Sequence, residues 1–255
     1  MEWSKAKSLL ILLMLAVNLY LGINIYTQVH DEISQEKEMI LDACAILRQR
    51  DIEIDEGLLL SLPSVLQSRT WVRDPAAEQH AAMRLLGECS EERPGGGIYV
   101  YTGQGGSVIF RSGGYVEVQP AEGGGAPDLS AFLRPLDEEG SLTMHEAEGG
   151  YVLRLDGCDI TGAQVLRGEG TAWSGTWIFA AEARPGDRSL PLAKLILTAG
   201  HLLESRGIHE VTDVRCVYML TALQSGDIRL VPALYFEGEG GVLCLNAITG
   251  AELAS

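Results

Sequence analysis

The sequence predicts an α+β, membrane-anchored protein: one N-terminal transmembrane helix, a helical stalk, and an ectodomain of two lobes, each a helix followed by an antiparallel meander. Three observations predict it. Leu9–Tyr26 is an uncharged apolar run of eighteen residues. The formal net charge of −16 lies almost wholly beyond that run. Each half of the remainder shows a Gly-terminated helical pattern followed by alternating, β-rich segments with glycine turns.

At ~1.5 Å per residue, Leu9–Tyr26 nearly covers a hydrocarbon core of ~30 Å, and Ser8, Thr27 and Gln28 extend it to a full span. Lys5 and Lys7 precede the run, whereas Asp31, Glu32 and Glu36 follow it. The positive-inside bias then places residues 1–7 in the cytoplasm and the part beyond residue 28 outside the cell membrane. Trp3 on one side, and Tyr20 and Tyr26 on the other, suit the two interfacial belts. A cleaved signal peptide would have a shorter apolar region and an A-x-A exit; Gly22-Ile-Asn-Ile-Tyr-Thr-Gln28 has none.

Residues 29–50 read as a helical stalk without Gly or Pro. Ile33, Glu36, Ile40, Ala43 and Leu47 form a heptad-like stripe, which continues back through Tyr26, Gly22, Leu19, Leu15 and Leu12. Its outer half has two alternative partners: a second helix, or the chain's own globular domain.

The first lobe, residues 51–140, starts with an extended Ile52–Ile54 and a strand over Ser68–Arg73. A helix over Pro75–Leu86 follows, capped by Asp74 and stopped at Gly87. Its meander is Ile98–Thr102, Ser107–Arg111 and Tyr115–Gln119. A Gly-rich loop, Glu122–Pro127, and a short helix over Asp128–Leu133 complete it. The second lobe, residues 141–255, has strands over Tyr151–Leu155 and Thr176–Glu182 with an irregular Gly-rich passage between them. Its helix is opened by Ser189 and Pro191 and closed by Gly207, with Leu192, Leu195, Ile196, Ala199, Leu202 and Leu203 on one face. Strands Val211–Leu223, Ile228–Phe236 and Gly241–Ile248 end it, with turns at Ser225–Asp227 and Glu237–Gly240.

The acidic balance disfavours nucleic acid and anionic lipid headgroups as partners. Five cysteines (Cys44, Cys89, Cys158, Cys216, Cys244) without CxxC spacing disfavour a zinc ribbon or a dense disulfide framework. Buried free thiols are expected, with Cys216–Cys244 the one pair considered for a bridge. No HExxH, GxSxG, Walker or dinucleotide pattern is present, and His30, His80, His145, His201 and His209 are scattered. Asp156-Gly-Cys-Asp159 reads as a turn, and the glycines at 103, 105 and 106 as a hairpin. No catalytic residue, metal ligand or cofactor site is assigned.

The polar residues within the membrane run carry the site prediction. Asn18 lies mid-span, Asn24 near one end, and Gly22 one turn from Asn18 permits close backbone approach. Asn18, Gly22 and Asn24 are therefore predicted to contact a partner helix.

The opening Met1-Glu-Trp-Ser-Lys-Ala-Lys7 with Asn18-Leu-Tyr-Leu21 resembles the start of YycI-type (WalI-type) proteins. Leu230-Val-Pro-Ala-Leu-Tyr-Phe236 and Leu245-Asn-Ala-Ile-Thr-Gly250 resemble their closing strands. YycH proteins and PepSY-like domains share that ending more loosely. The chain departs from the pattern at Leu234 and Cys244, where aromatics are common. The resemblance implies a single-pass regulator of a Gram-positive two-component system. It would act on a WalK-type sensor histidine kinase controlling cell-wall metabolism, with a YycH-like protein as a further partner. The alternatives are a PepSY-like module binding a peptide or protease, and, further off, an anchored hydrolase using Cys158 or Cys216 with a histidine.

Overall fold

The computed structural model describes residues 2–63, 65–121, 128–136, 140–168 and 171–253, and of residues 2–6, 8, 9 and 28–33 the backbone alone. It is a mixed α+β protein, with an apolar N-terminal helix leading into a large β-rich domain. Met1 and the Glu122–Pro127 loop lie outside the described residues, as do the side chains of Trp3, Lys5 and Ile33.

Helix α1 (Glu2–Arg48) is continuous for 47 residues, ~70 Å of helix, and unites the predicted anchor and stalk. Leu10–Thr27 is long and apolar enough to cross a membrane, and none of it is buried against the rest of the protein. The stripe becomes buried further on: Ile40, Ala43, Cys44 and Leu47 are each under 5% exposed. Of the two alternatives for that stripe, the chain's own domain takes it, because the helix Leu192–Arg206 lies along it. The thirteen residues Gln28–Ile40 span ~20 Å.

Strand β1 (Glu53–Ile54), helix α2 (Glu56–Leu60) and strand β2 (Gln67–Trp71) follow α1. Asp55 caps α2 through Gly57 N. Helix α3 (Pro75–Leu86) starts as read: Asp74 accepts from Ala76 N and Ala77 N, Pro75 opens the first turn, and Gly87 (φ 75°) ends it. Strands β3 (Cys89–Gly95), β4 (Ile98–Gly103), β5 (Gly106–Phe110) and β6 (Tyr115–Pro120) form the first meander, with Gln104-Gly105 as a two-residue hairpin turn. Helix α4 (Leu129–Phe132) is capped by Asp128.

Strands β7 (Leu142–Ala147), β8 (Gly150–Leu155), β9 (Cys158–Arg167) and β10 (Trp173–Thr176) come next, then β11 (Ala183–Arg188). Asp156 (φ 51°) and Gly157 (φ 82°) make the β8–β9 turn, both in the left-handed region that a tight primed hairpin needs. Helix α5 (Leu192–Arg206) begins after Pro191 without a side-chain cap and closes on Gly207 in the left-handed conformation. Ser189, expected to open this helix, instead accepts a hydrogen bond from Leu66 N. Strands β12 (Glu210–Ala222), β13 (Ile228–Gly238), β14 (Gly241–Asn246) and β15 (Glu252–Leu253) end the described chain.

One ladder runs β11-β2-β13-β12-β9-β10-β6-β5-β4-β3. It crosses the predicted 140/141 boundary three times, since β2 pairs with β11 and with β13, and β10 pairs with β6. One edge of β13 is shared: Ile228–Leu230 bond β2, and Ala233–Gly238 bond β14. Pro232, with no N–H to donate, occupies the gap between those partners.

Thr176–Glu182 is not a strand. The ladder ends at Thr176, and Trp177–Ala180 leave it with all four residues buried. Trp177 N donates to Gly114 O and its Nε1 to Leu133 O (2.9 and 2.8 Å), while Phe179 packs edge-on to Phe110. A buried loop segment mimics a strand in composition but lacks its alternation. The predicted Glu237–Gly240 turn contracts to Glu239-Gly240, because β13 runs on through Gly238. Strand β14 stops at Asn246, whose side chain accepts from Ile248 N and Thr249 N and turns the chain into β15.

Candidate functional site

Two regions concentrate groups that fit recognition. The first is the exposed face of α1. At ~100° per residue, Asn18 falls within about 20° of both Ala43 and Leu47 around the axis, and Gly22 about 40° from Asn18. The predicted partner-helix residues Asn18 and Gly22 thus lie on the side of α1 that, further on, carries the globular domain. A Cβ at Gly22 would meet nothing within 4 Å. Asn24 is about 120° from Asn18 and about 160° from Gly22, so a single neighbouring helix meets Asn18 and Gly22 but not Asn24. Thr27 Oγ1 donates to Asn24 O, tying a hydroxyl back to the helix. Lys7 is exposed.

The second region lies where β2 runs into α3. Arg73 and Glu78 form a bidentate ion pair, Nε–Oε1 2.7 Å and Nη2–Oε2 2.9 Å, with Glu78 only 3% exposed. Arg73 Nη1 donates to Gly97 O, its N to Asp227 Oδ1, and its guanidinium stacks 5.0 Å over Tyr99. Burial pushes the Glu78 carboxyl up, and Arg73 pulls it back less strongly. Asp227, accepting from Arg73 N and Ser225, is held below the usual carboxylate range. The pair therefore ties β2, α3, the Gly97 turn and the β12–β13 turn together.

Beside it, buried Trp71 and Trp177 border a cavity of ≈ 20 Å³, the size of about one water molecule. Trp71 Nε1 has no hydrogen-bond partner among the described residues. The cavity shares Val72, Arg73, Asp74 and Ala180 with an open cleft of ≈ 370 Å³ that runs out to Glu182 and Arg184. Sequence reading missed this region. Its one legible signal was the cap Asp74-Pro75, which aims α3 at the strand end; the Arg73–Glu78 partnership is set by the turn of the helix.

The cysteines are all free, and the Cys216–Cys244 bridge is not made. Register explains why: Cys216 is opposite Leu234 and then Leu245, facing the main core, whereas Cys244 is opposite Tyr235 and packs with Val217 and Ala233 on the other face. Cys216 instead neighbours Cys158 across the β9–β12 pairing, and their interaction draws the Cys158 thiol down and pushes the Cys216 thiol up. His201 meets Arg50, His209 meets Asp51 O and His145 meets Thr143. Among the described residues no group of three or more His, Cys, Asp or Glu is placed to hold a metal ion.

No family model matches the chain, and no curated protein matches it. Among solved structures, it has a likeness to an uncharacterized protein from Eubacterium rectale, with 12% identity and a TM-score of 0.36, covering 75% of this chain and 87% of that one.

Proposed function

We propose that the protein is a membrane-anchored regulator that sets the activity of a WalK-type sensor histidine kinase in the cell membrane, through contacts of its transmembrane helix and its extracellular domain. The observation that carries this reading is the continuity of α1. One helix contains both the membrane-spanning run and the buried Ile40–Leu47 face, so a partner docked on Asn18 and Gly22 is mechanically coupled to the ectodomain. The resemblance to YycI-type proteins at both ends of the sequence supplies the kinase, and a YycH-like protein is a further partner. The N-terminus is cytoplasmic and residues beyond 28 are extracellular in this reading. The order α3 then β4–β6, and α5 then β12–β14, supports two helix-plus-meander lobes of PepSY-like character.

The test is affinity purification of the tagged full-length chain from gently solubilised native membranes. Specific recovery of a membrane sensor kinase, with altered kinase-dependent transcription when the chain is deleted, is the expected result. Unaltered transcription together with no kinase recovery would overturn the reading. A peptide- or protease-binding module is the second reading, favoured by the open cleft beside Trp71 and Arg184.

A further inference from the structure

Strands β9 and β12 run parallel, with Val217 opposite Asp159, Tyr218 opposite Ile160 and Met219 opposite Thr161. One step earlier in the same register stand Cys216 and Cys158. Neighbouring strands lie ~4.8 Å apart, inside the Cα separation of 4.4–6.8 Å that a disulfide spans. Both side chains face the main core, at 8% exposure for Cys158 and 7% for Cys216. We propose that Cys158 and Cys216 are a peroxide-responsive thiol pair that closes to a disulfide and staples β9 to β12. The proposal is independent of the kinase reading.

The two thiols are unequal. The interaction with Cys216 draws the Cys158 thiol down, while Cys216 is pushed up by Cys158 and by burial. Cys44, Cys89 and Cys244 are all pushed up by burial. Cys158 is therefore the thiol with most thiolate character, and it directly follows the exposed Asp156-Gly157 turn, with 8% of its own surface open. Its thiolate attacks a peroxide oxygen: the S–O bond forms, the O–O bond breaks, and the departing hydroxide takes the Cys158 proton as water. Cys216 then attacks the sulfenic sulfur. The S–S bond forms, the S–O bond breaks, and the leaving hydroxide takes the Cys216 proton as a second water. Two thiols lose two electrons and the peroxide gains them; an external dithiol reverses the step by exchange. Because β1, which leaves the stalk, pairs along the same edge of β12, the staple lies in the sheet that receives α1.

The experiment treats the full-length chain in detergent with hydrogen peroxide, alkylates the remaining thiols, and maps the digest by mass. Titratable thiols should fall from five to three, with a Cys158–Cys216 cross-linked peptide about 2 Da lighter than its two thiol components. Dithiothreitol should restore five. A Cys44→Ala, Cys89→Ala, Cys244→Ala variant should keep the cross-link and Cys158→Ser should lose it; the wild-type map decides alone if either variant does not fold. Five intact thiols, sulfinic acid on Cys158 beside an alkylated Cys216, or a bridge through Cys89 or between chains would overturn the proposal.

Discussion

Leu47 seats on Gly200: a Cβ built at Gly200 would lie 2.1 Å from Leu47 Cδ2, so the missing side chain in α5 is the space that the last turn of α1 fills. Leu47 is 1% exposed, so its Cδ2 can give way to an added methyl only by shifting within the packed core. Gly200→Ala gains about 1 kcal/mol of helix propensity and loses about 1–3 kcal/mol to overpacking, so the net effect is destabilising. Leu47→Ala should cost about 2–5 kcal/mol. The double variant should be less destabilised than the sum of the two, since truncating Leu47 makes room for the methyl group added at position 200. Denaturant midpoints of the four proteins test this; strict additivity would show that the two residues do not meet.

Glu78 gives a pH dependence of unusual sign. Burial holds its folded pKa above the ordinary 4.5 despite Arg73. Folding therefore takes up a proton there, and the group's stabilising contribution is full below the unfolded value and lost as pH rises through the folded one. Relative to the non-titrating Glu78→Gln, the wild type should gain stability as pH falls from the raised value towards 4.5. Urea midpoints of both proteins across that window are the measurement, and a difference that is flat or of opposite slope contradicts it. Glu78→Ala, which strands the half-buried Arg73 charge, should cost about 3–5 kcal/mol at neutral pH.

Topology has its own test. Lys5 and Lys7 before the span, with acids after it, predict that protease added to intact protoplasts degrades the part beyond residue 28. Protection of that part reverses the orientation, and a mature chain starting beyond the apolar run revives the signal peptide.

Elements with a strong local signal were legible. Asp74-Pro75 to Gly87 and Pro191 to Gly207 carry start and stop residues as well as an apolar face, and both helices lie where the pattern puts them. The strands of 106–119 alternate because one face is buried, whereas β12, β13 and β14 each bury three residues in a row (Cys216–Tyr218, Pro232–Leu234, Leu243–Leu245) because both faces are covered there, and their apolar runs mark them instead. Strand β3, CSEERPG, is an exposed, charged edge with no buried face to mark it. In β9, the buried set shifts its alternation around Gly162, so a ten-residue strand reads as irregular. The Arg73–Glu78 pair, only five residues apart, was not legible because it depends on how the first turn of α3 leaves β2, and the Cys158–Cys216 contact was not legible because sheet order and register place it, over a separation no local pattern spans.

In the proposed function, recognition is carried by the Asn18 and Gly22 face of α1. An interhelical hydrogen bond from Asn18 is worth on the order of 0.6–2 kcal/mol, roughly a 3- to 30-fold change in a two-state equilibrium. Asn18→Leu should leave insertion intact and weaken both co-purification with the kinase and kinase-dependent reporter output, while Val17→Leu, one residue round the helix, should behave as wild type. Equal behaviour of the two variants at equal membrane abundance would contradict it.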